Sequence, residues 1–233
     1  MISRYSLPEM QAIWEHENRF QQMMEVEICA SEAMAELGYI PQEAAKNIGE
    51  KAAFDVDRIA EIESVVKHDV IAFLTCVGEY VGEDSKYIHM GMTSSDVLDT
   101  ALGLQMRDSA DLLLGKARKL RSILADLAKK YKYTIMTGRT HGIHAEPITF
   151  GLKMALWTME MDRNIERLMD AKEMVSVGMI SGAVGTFANI DPRVEEKVCA
   201  RLGLKPEPVS TQIIQRDRHA DFLTTIAVFG ASL

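Results

Sequence analysis

Residues 93–131 read TSSDVLDTALGLQMRDSADLLLGKARKLRSILADLAKKY, and the class of the fold turns on this stretch. No proline interrupts it. Thr93 and Asp96 stand at the spacing of a capping box, in which a hydroxyl and an acid three residues apart satisfy free N–H groups at a helix start. Leu113, Ala117, Leu120, Leu124, Leu127 and Tyr131 then step by four and three residues, which is a heptad seam. At ~1.5 Å per residue this helix would be roughly 55 Å long, beyond the ordinary globular mean.

The flanks extend the same reading. A loop is expected at GRTHGIHAEP, residues 138–147, after which Pro147 opens a second long helix to about Val175. Met161, Ile165, Leu168 and Val175 keep the three/four spacing, with Lys172 interrupting, and Gly178, Gly182 and Gly185 end the segment. Upstream, Pro8 opens a short helix through Trp14. A second helix runs from about Arg19 to Leu37 and stops at Gly38, with Phe20, Met24, Ile28, Met34 and Leu37 on one face. Shorter helices are expected over 41–48, 55–66 and 69–81, the last closed by Gly82. Downstream come a helix over 192–202, a turn at Lys205-Pro206-Glu207-Pro208 and a helix from Arg216. Residues 222–229 are strongly apolar, and nothing like a C-cap follows before Leu233. A helix that apolar needs partners on several sides. The expectation is a chain that stops inside a helix of a larger fold; a buried terminal helix or a subunit-interface helix is the alternative. The pattern predicts an all-α protein.

Composition bounds the function. The chain has 233 residues, 47% hydrophobic and 26% charged, which excludes disordered and collagen-like classes. Lys+Arg 26 against Asp+Glu 34 leaves a net charge of −8. That is a poor basis for nucleic-acid binding, which rests on Lys and Arg neutralising phosphates. An anionic ligand must therefore find its positive contacts locally. Cys29, Cys76 and Cys199 lie far apart without zinc spacing and read as inert thiols in a reducing compartment. No apolar run reaches the ~18 residues of a membrane span. The opening MISRYSLPEM lacks the apolar segment of a secretory signal. A cytoplasmic protein without membrane or nucleic-acid partners is expected.

The sequence has no dinucleotide-binding or phosphate-loop glycine motif and no HExxH. His141 and His144 flank Gly142 with no third ligand placed, so no metal is expected. Unusual polar content instead gathers at helix starts and loops. His68 lies in Lys67-His68-Asp69, where Asp69 can cap the next helix; His89 lies four residues before Thr93; His141 lies beside Arg139 and Thr140. Thr93-Ser94 reads equally as a helix cap, worth ~1 kcal/mol, or as an anion site built from N–H groups, two hydroxyls and the positive helix end. Ser181-Gly182-Ala183-Val184-Gly185-Thr186 reads as a ligand loop or as a plain turn between helices.

Six strings occur in order along the chain: Ser3-Arg4-Tyr5, KHDV at 67–70, MTSSD at 92–96, GRTHGIHAEP at 138–147, SGAVGTFAN at 181–189 and QIIQRDRHAD at 212–221. On these the chain resembles the bacterial-type adenylosuccinate lyases of the fumarase/aspartase superfamily. The resemblance implies an N-terminal helical domain over 1–92, a central bundle of very long helices over 93–233, and homotetramers whose active sites collect residues from three subunits. It implies elimination of fumarate from adenylosuccinate, giving AMP, and from the succinylaminoimidazole carboxamide ribotide, with no metal or organic cofactor. Carried over by motif, His141 is the general acid and Thr93 and Ser94 hold a succinyl carboxylate. Arg4 and Tyr5 grip the nucleotide phosphate. Lys67, His68 and Asp69 contact the nucleotide, Gln212 the succinyl part, and His89 is a further substrate contact. Members of the family are longer. Downstream they carry a mobile loop with the serine base, Lys and Asn substrate contacts, a carboxylate that orients the acid histidine, and a C-terminal helical domain. The 233 residues taken alone are therefore expected to be inactive. A sister lyase acting on argininosuccinate, or a non-enzymatic helical oligomerisation module, are the competing readings.

Overall fold

Caps and glycines set the helix boundaries in the computed structural model, which describes residues 3–233. After a 3₁₀ turn at Ser3–Tyr5, Pro8 opens α1 (Pro8–Trp14), and α2 (His16–Glu36) follows after Glu15 alone. Beyond α3 (Gln42–Lys51), Asp55 caps α4 (Val56–Val66) by accepting from the Arg58 N–H at 2.7 Å. His68 caps α5 (Asp69–Val81), its Nδ1 accepting from the Ile71 N–H at 3.4 Å. A 3₁₀ turn at Gly82–Tyr87 leads toward α6 (Ser94–Lys130). Then come β1 (Ile135–Thr140), β2 (Ile143–Thr149), α7 (Phe150–Val175), β3 (Val177–Gly178), α8 (Pro192–Leu202), β4 (Lys205–Pro206) and α9 (Asp217–Ala231). Apart from the two short strand pairs, the regular structure is helical, as the periodicity requires.

Two compact units divide the chain: Met1–Ser109 with Val175–Asp217, and Ala110–Met174 with Arg218–Leu233. The beginning of α6 packs with the helices before it, and the segment after α7 returns to the first unit.

In the first unit, α2 buries Phe20, Met23, Val26, Ala30, Ala33 and Met34. They join Val70, Phe73 and Val77 of α5, Val97, Ala101 and Leu104 of α6, and Val194 and Val198 of α8 in one core. The rings of Phe20 and Phe73 stack with centroids 5.7 Å apart, and Phe54 leans on both. β3 and β4 pair in parallel, Val177 with Lys205, where a turn was expected. All three thiols are free and buried, and burial pushes Cys29 up to about 11 and Cys199 up to about 12.

In the second unit, α6 and α7 run antiparallel. Asp111 pairs with Lys172 at 2.6 Å, Arg121 with Asp162 at 2.7 Å, and the Tyr131 and Phe150 rings meet edge-on at 5.3 Å. Leu114, Ala117, Met161, Leu168 and Phe229 form the buried strip, with Leu113, Leu120 and Ile165 half-buried against it. Met154, Thr158, Met161, Leu168, Ala171 and Val175 are the buried positions that carry the heptad along α7, and Lys172 turns aside to Asp111. Leu152, Leu156 and Met159 of α7 and Leu223 of α9 stay exposed.

The loop expected over 138–147 is instead an antiparallel hairpin. Ile135, Thr137, Thr140, Ile143, Ile148 and Thr149 are β-branched and favour pleated strands. His141 and Gly142 both have positive φ, 52° and 74°, as a two-residue type I′ hairpin turn demands. One extra residue on β2 makes a bulge opposite Gly138, between the Thr137–Pro147 and Arg139–His144 pairs. The hairpin also delays α7, which begins at Phe150 rather than at Pro147.

Candidate active site

Asp96 organises the start of α6. It is fully buried and accepts three backbone hydrogen bonds: from Thr93 at 2.9 Å, Ser181 at 2.9 Å and Gly182 at 3.1 Å. Burial raises its carboxyl above the ordinary value, opposed by those three N–H groups and by His89. The capping box is thus half formed. Asp96 reaches back to the Thr93 N–H, but among the described residues the Thr93 and Ser94 hydroxyls have no hydrogen-bond partner. Capping alone does not account for those two hydroxyls.

The segment carrying Gln212 is drawn to the same place. Ser181 and Ser210 share a hydroxyl hydrogen bond at 2.8 Å. Gly185 has φ 78°, and any Cβ there would collide with the Ser210 carbonyl, so the two segments touch backbone to backbone. Asp99, buried on α6, accepts from the Ile214 N–H at 2.8 Å and from both terminal nitrogens of Arg216, at 2.9 and 3.0 Å. Thr100 donates to the Met179 carbonyl and accepts from its N–H, both at 3.0 Å. Gln212 itself is exposed.

Behind this corner, Glu195 accepts from the Ile180 N–H at 2.8 Å. Burial pushes its carboxyl from the ordinary 4.5 up to about 7, with Asp96 and Glu207 adding to the rise and the Ile180 bond opposing it. The folded state therefore holds a proton that the unfolded chain releases near pH 4.5. This group's contribution to stability is full at acid pH and falls as pH rises to about 7. Glu195→Gln is expected to remove that decline, which runs at roughly 1.4 kcal/mol per pH unit between those two values. Urea denaturation of both proteins across this range checks it; equal pH slopes would contradict the assignment.

His89 faces the same helix start. Its Nδ1 lies 2.6 Å from Glu27 Oε1, and its N–H donates to Glu27 Oε2 at 3.0 Å. Burial alone would lower its pKa, but the bond and charge of Glu27, with the charge of Asp96, raise it overall. Lys67, His68 and Asp69 line a separate cleft of about 540 Å³ with His16, Arg19 and Glu63. Arg19 pairs with Asp69 at 3.2 Å, and Lys67 takes a left-handed backbone, φ 56°, that turns α4 into α5. Lys67 and Arg19 bring positive charge to this cleft beside the carboxylates of Glu63 and Asp69, and His16 and His68 add two imidazoles. Arg4 and Tyr5 lie at the exposed N-terminal turn, the guanidinium 4.8 Å over the ring. His141, in the second unit, is exposed at the hairpin tip, with no hydrogen-bond partner among the described residues.

Among the described residues, no three His, Cys, Asp or Glu side chains gather as metal ligands, and no helix is long and apolar enough to cross a membrane. The sequence pattern of the family described as Lyase matches residues 3–233. The chain belongs to the lyase family. Within it, the chain is 56% identical over all 233 residues to a protein named adenylosuccinate lyase from Bacillus subtilis, and 55% to one so named from Synechocystis. It covers 54% of each, so it spans about half the length of the curated relatives it matches. A crystal structure of a fumarate lyase from Mesorhizobium sp. BNC1 superposes with a TM-score of 0.90 at 31% identity, over 96% of this chain and 54% of that one. The helical architecture is thus that of the fumarate lyases.

Thr93, Ser94 and His89 lie at one corner, the segment carrying Gln212 is tied nearby through Ser210 and Ile214, and Lys67, His68 and Asp69 line the cleft. Sequence reasoning missed His16 and Arg19 in the cleft and Glu27 behind His89. Phe20, Met24, Glu27, Ser31 and Met34 step by four and three along α2, so an acid on the buried stripe was the available signal for Glu27.

Proposed function

We propose that the chain forms part of an adenylosuccinate lyase, which eliminates fumarate from adenylosuccinate to give AMP and from the succinylaminoimidazole carboxamide ribotide. The observation that carries the reading is the start of α6. There, two hydroxyls without a protein partner among the described residues stand at the first turn of a long helix, while the Asp96 N–H goes to the Thr93 carbonyl and the Asp96 carboxylate draws the Ser181–Gly182 backbone alongside. Such a site suits a carboxylate, and the relatives' names narrow the acid to a succinyl group.

In this proposal Thr93 and Ser94 hold a succinyl carboxylate and Gln212 contacts the succinyl part. Lys67, His68 and Asp69 contact the nucleotide, Arg4 and Tyr5 its phosphate, and His89 an anionic group. Loss of the proton beside a carboxylate creates a dianion that fixed donors stabilise. His141 then protonates the leaving nitrogen, a general-acid task for which histidine is the most frequent side chain. The base lies outside these residues. The exposed Leu152, Leu156, Met159 and Leu223 favour association into a homotetramer, since large apolar surface left in water marks an interface. A cytoplasmic location accords with this chemistry.

The 233 residues by themselves are expected to bind adenylosuccinate without turning it over. Ligand at 100 times its dissociation constant stabilises the fold by about 2.7 kcal/mol, which a thermal-shift assay reads. No shift with adenylosuccinate, or a larger one with argininosuccinate, would overturn the substrate assignment. Fumarate release by these residues alone would overturn the division of labour.

A further inference from the structure

We infer that Glu27 is a positioning residue: its carboxyl holds His89 in a strained turn with Nδ1 facing Glu27, so that Nε2, in the doubly protonated ring, donates to an anionic group of the ligand at the start of α6. The inference rests on the adenylosuccinate lyase reading. Glu27 lies on the buried face of α2 and is only 2% exposed, an expensive place for an acid unless it is paired. Both of its oxygens serve one residue, one taking the His89 N–H and the other the His89 ring. A carboxylate only accepts hydrogen bonds, so the 2.6 Å contact puts a proton on Nδ1.

The backbone points the same way. His89 has φ 63°, a left-handed conformation that strains a non-glycine residue and persists only where the surroundings impose it. The Glu27 bond to the His89 N–H imposes it here. The His89 carbonyl then accepts from the Met92 N–H at 3.2 Å, and this turn runs straight into Thr93. The charged groups facing the ring are Glu27 from α2 and Asp96 from α6. Glu27 therefore does more than satisfy a buried histidine. It fixes which nitrogen faces the ligand, and together with Asp96 it raises the ring's pKa against the burial that lowers it, which favours a proton on Nε2 as well.

Binding of adenylosuccinate to the parent protein and to E27Q, measured across pH, tests the inference together with ¹⁵N NMR titration of the histidine rings. In E27Q the His89 titration should move to lower pH and affinity near neutrality should fall about tenfold. The deficit should narrow as pH falls through the variant's lowered His89 titration, below which the ring is protonated without help. Glu27→Asp should restore part of the affinity. A deficit that persists unchanged at acid pH, or an unmoved His89 titration, would overturn the inference and leave the substrate reading intact. Failure of the parent to bind adenylosuccinate would overturn the reading on which it rests. If E27Q does not fold, the parent's spectrum decides: a protonated Nδ1 at neutral pH is expected, and a bare Nδ1 overturns the inference.

Discussion

Replacing His141 by asparagine in an active enzyme that carries this chain is expected to lower kcat by about a hundred- to ten-thousand-fold, the usual worth of a general acid. Structural damage should be slight, and the hairpin explains why. Residues 141 and 142 are the two central residues of a type I′ turn, both at positive φ. Asn-Gly is the most favoured pair for that turn, and asparagine tolerates the left-handed region better than most residues. The ring has no hydrogen bond to lose among the described residues. The substitution removes the proton donor and improves the turn. Circular dichroism and the melting temperature should hold while fumarate release collapses, and KM should move far less than kcat, since the interaction lost belongs to the transition state. Turnover within a few-fold of the parent would dismiss His141 as the acid.

The placement of His141 also shows where reading residues in order succeeds and fails. Helices closed by their own punctuation were legible to the residue: Pro8–Trp14, Asp69–Val81 and Pro192–Leu202 each have proline, an N-cap side chain or a left-handed glycine at the boundary. The hairpin was not legible as such, because GRTHGIHAEP is short, polar and proline-ended, and two strands that pair mainly with each other carry little hydrophobic alternation. Its β-branched residues and the His-Gly turn were the weaker signal that prevailed. The long seams were legible as heptads but not in their depth of burial. Leu114, not Leu113, is the fully buried member on α6, and Ala171 replaces Lys172 on α7. The polar corner was legible only as scattered motifs. Its assembly depends on long-range bonds from Asp96, Asp99 and Ser181 to segments about thirty to more than a hundred residues away, which no local pattern encodes.

Those long-range bonds make Asp96 the most consequential structural side chain of the site. Asp96→Ala leaves the N–H groups of Thr93, Ser181 and Gly182 without their acceptor in a buried setting. Each unsatisfied buried donor costs about 1–3 kcal/mol. A loss above about 3 kcal/mol is expected, a large part of the ~5–15 kcal/mol that holds an ordinary domain folded. Asp96→Asn should fall between. Its single oxygen can keep the Thr93 and Gly182 bonds, but its amide would then point at the Ser181 N–H. Urea denaturation gives the two losses. Amide hydrogen exchange locates them, with protection at Ser181 falling first in the asparagine variant. Adenylosuccinate should no longer stabilise Asp96→Asn as it does the parent, because the hydroxyls of Thr93 and Ser94 keep their chemistry but lose the backbone wall opposite them. A loss below about 1 kcal/mol for Asp96→Ala, with ligand stabilisation unchanged, would mean that the corner is held by Asp99 and the serine pair alone. The half-formed capping box would then be incidental rather than the reason two hydroxyls are left for a ligand.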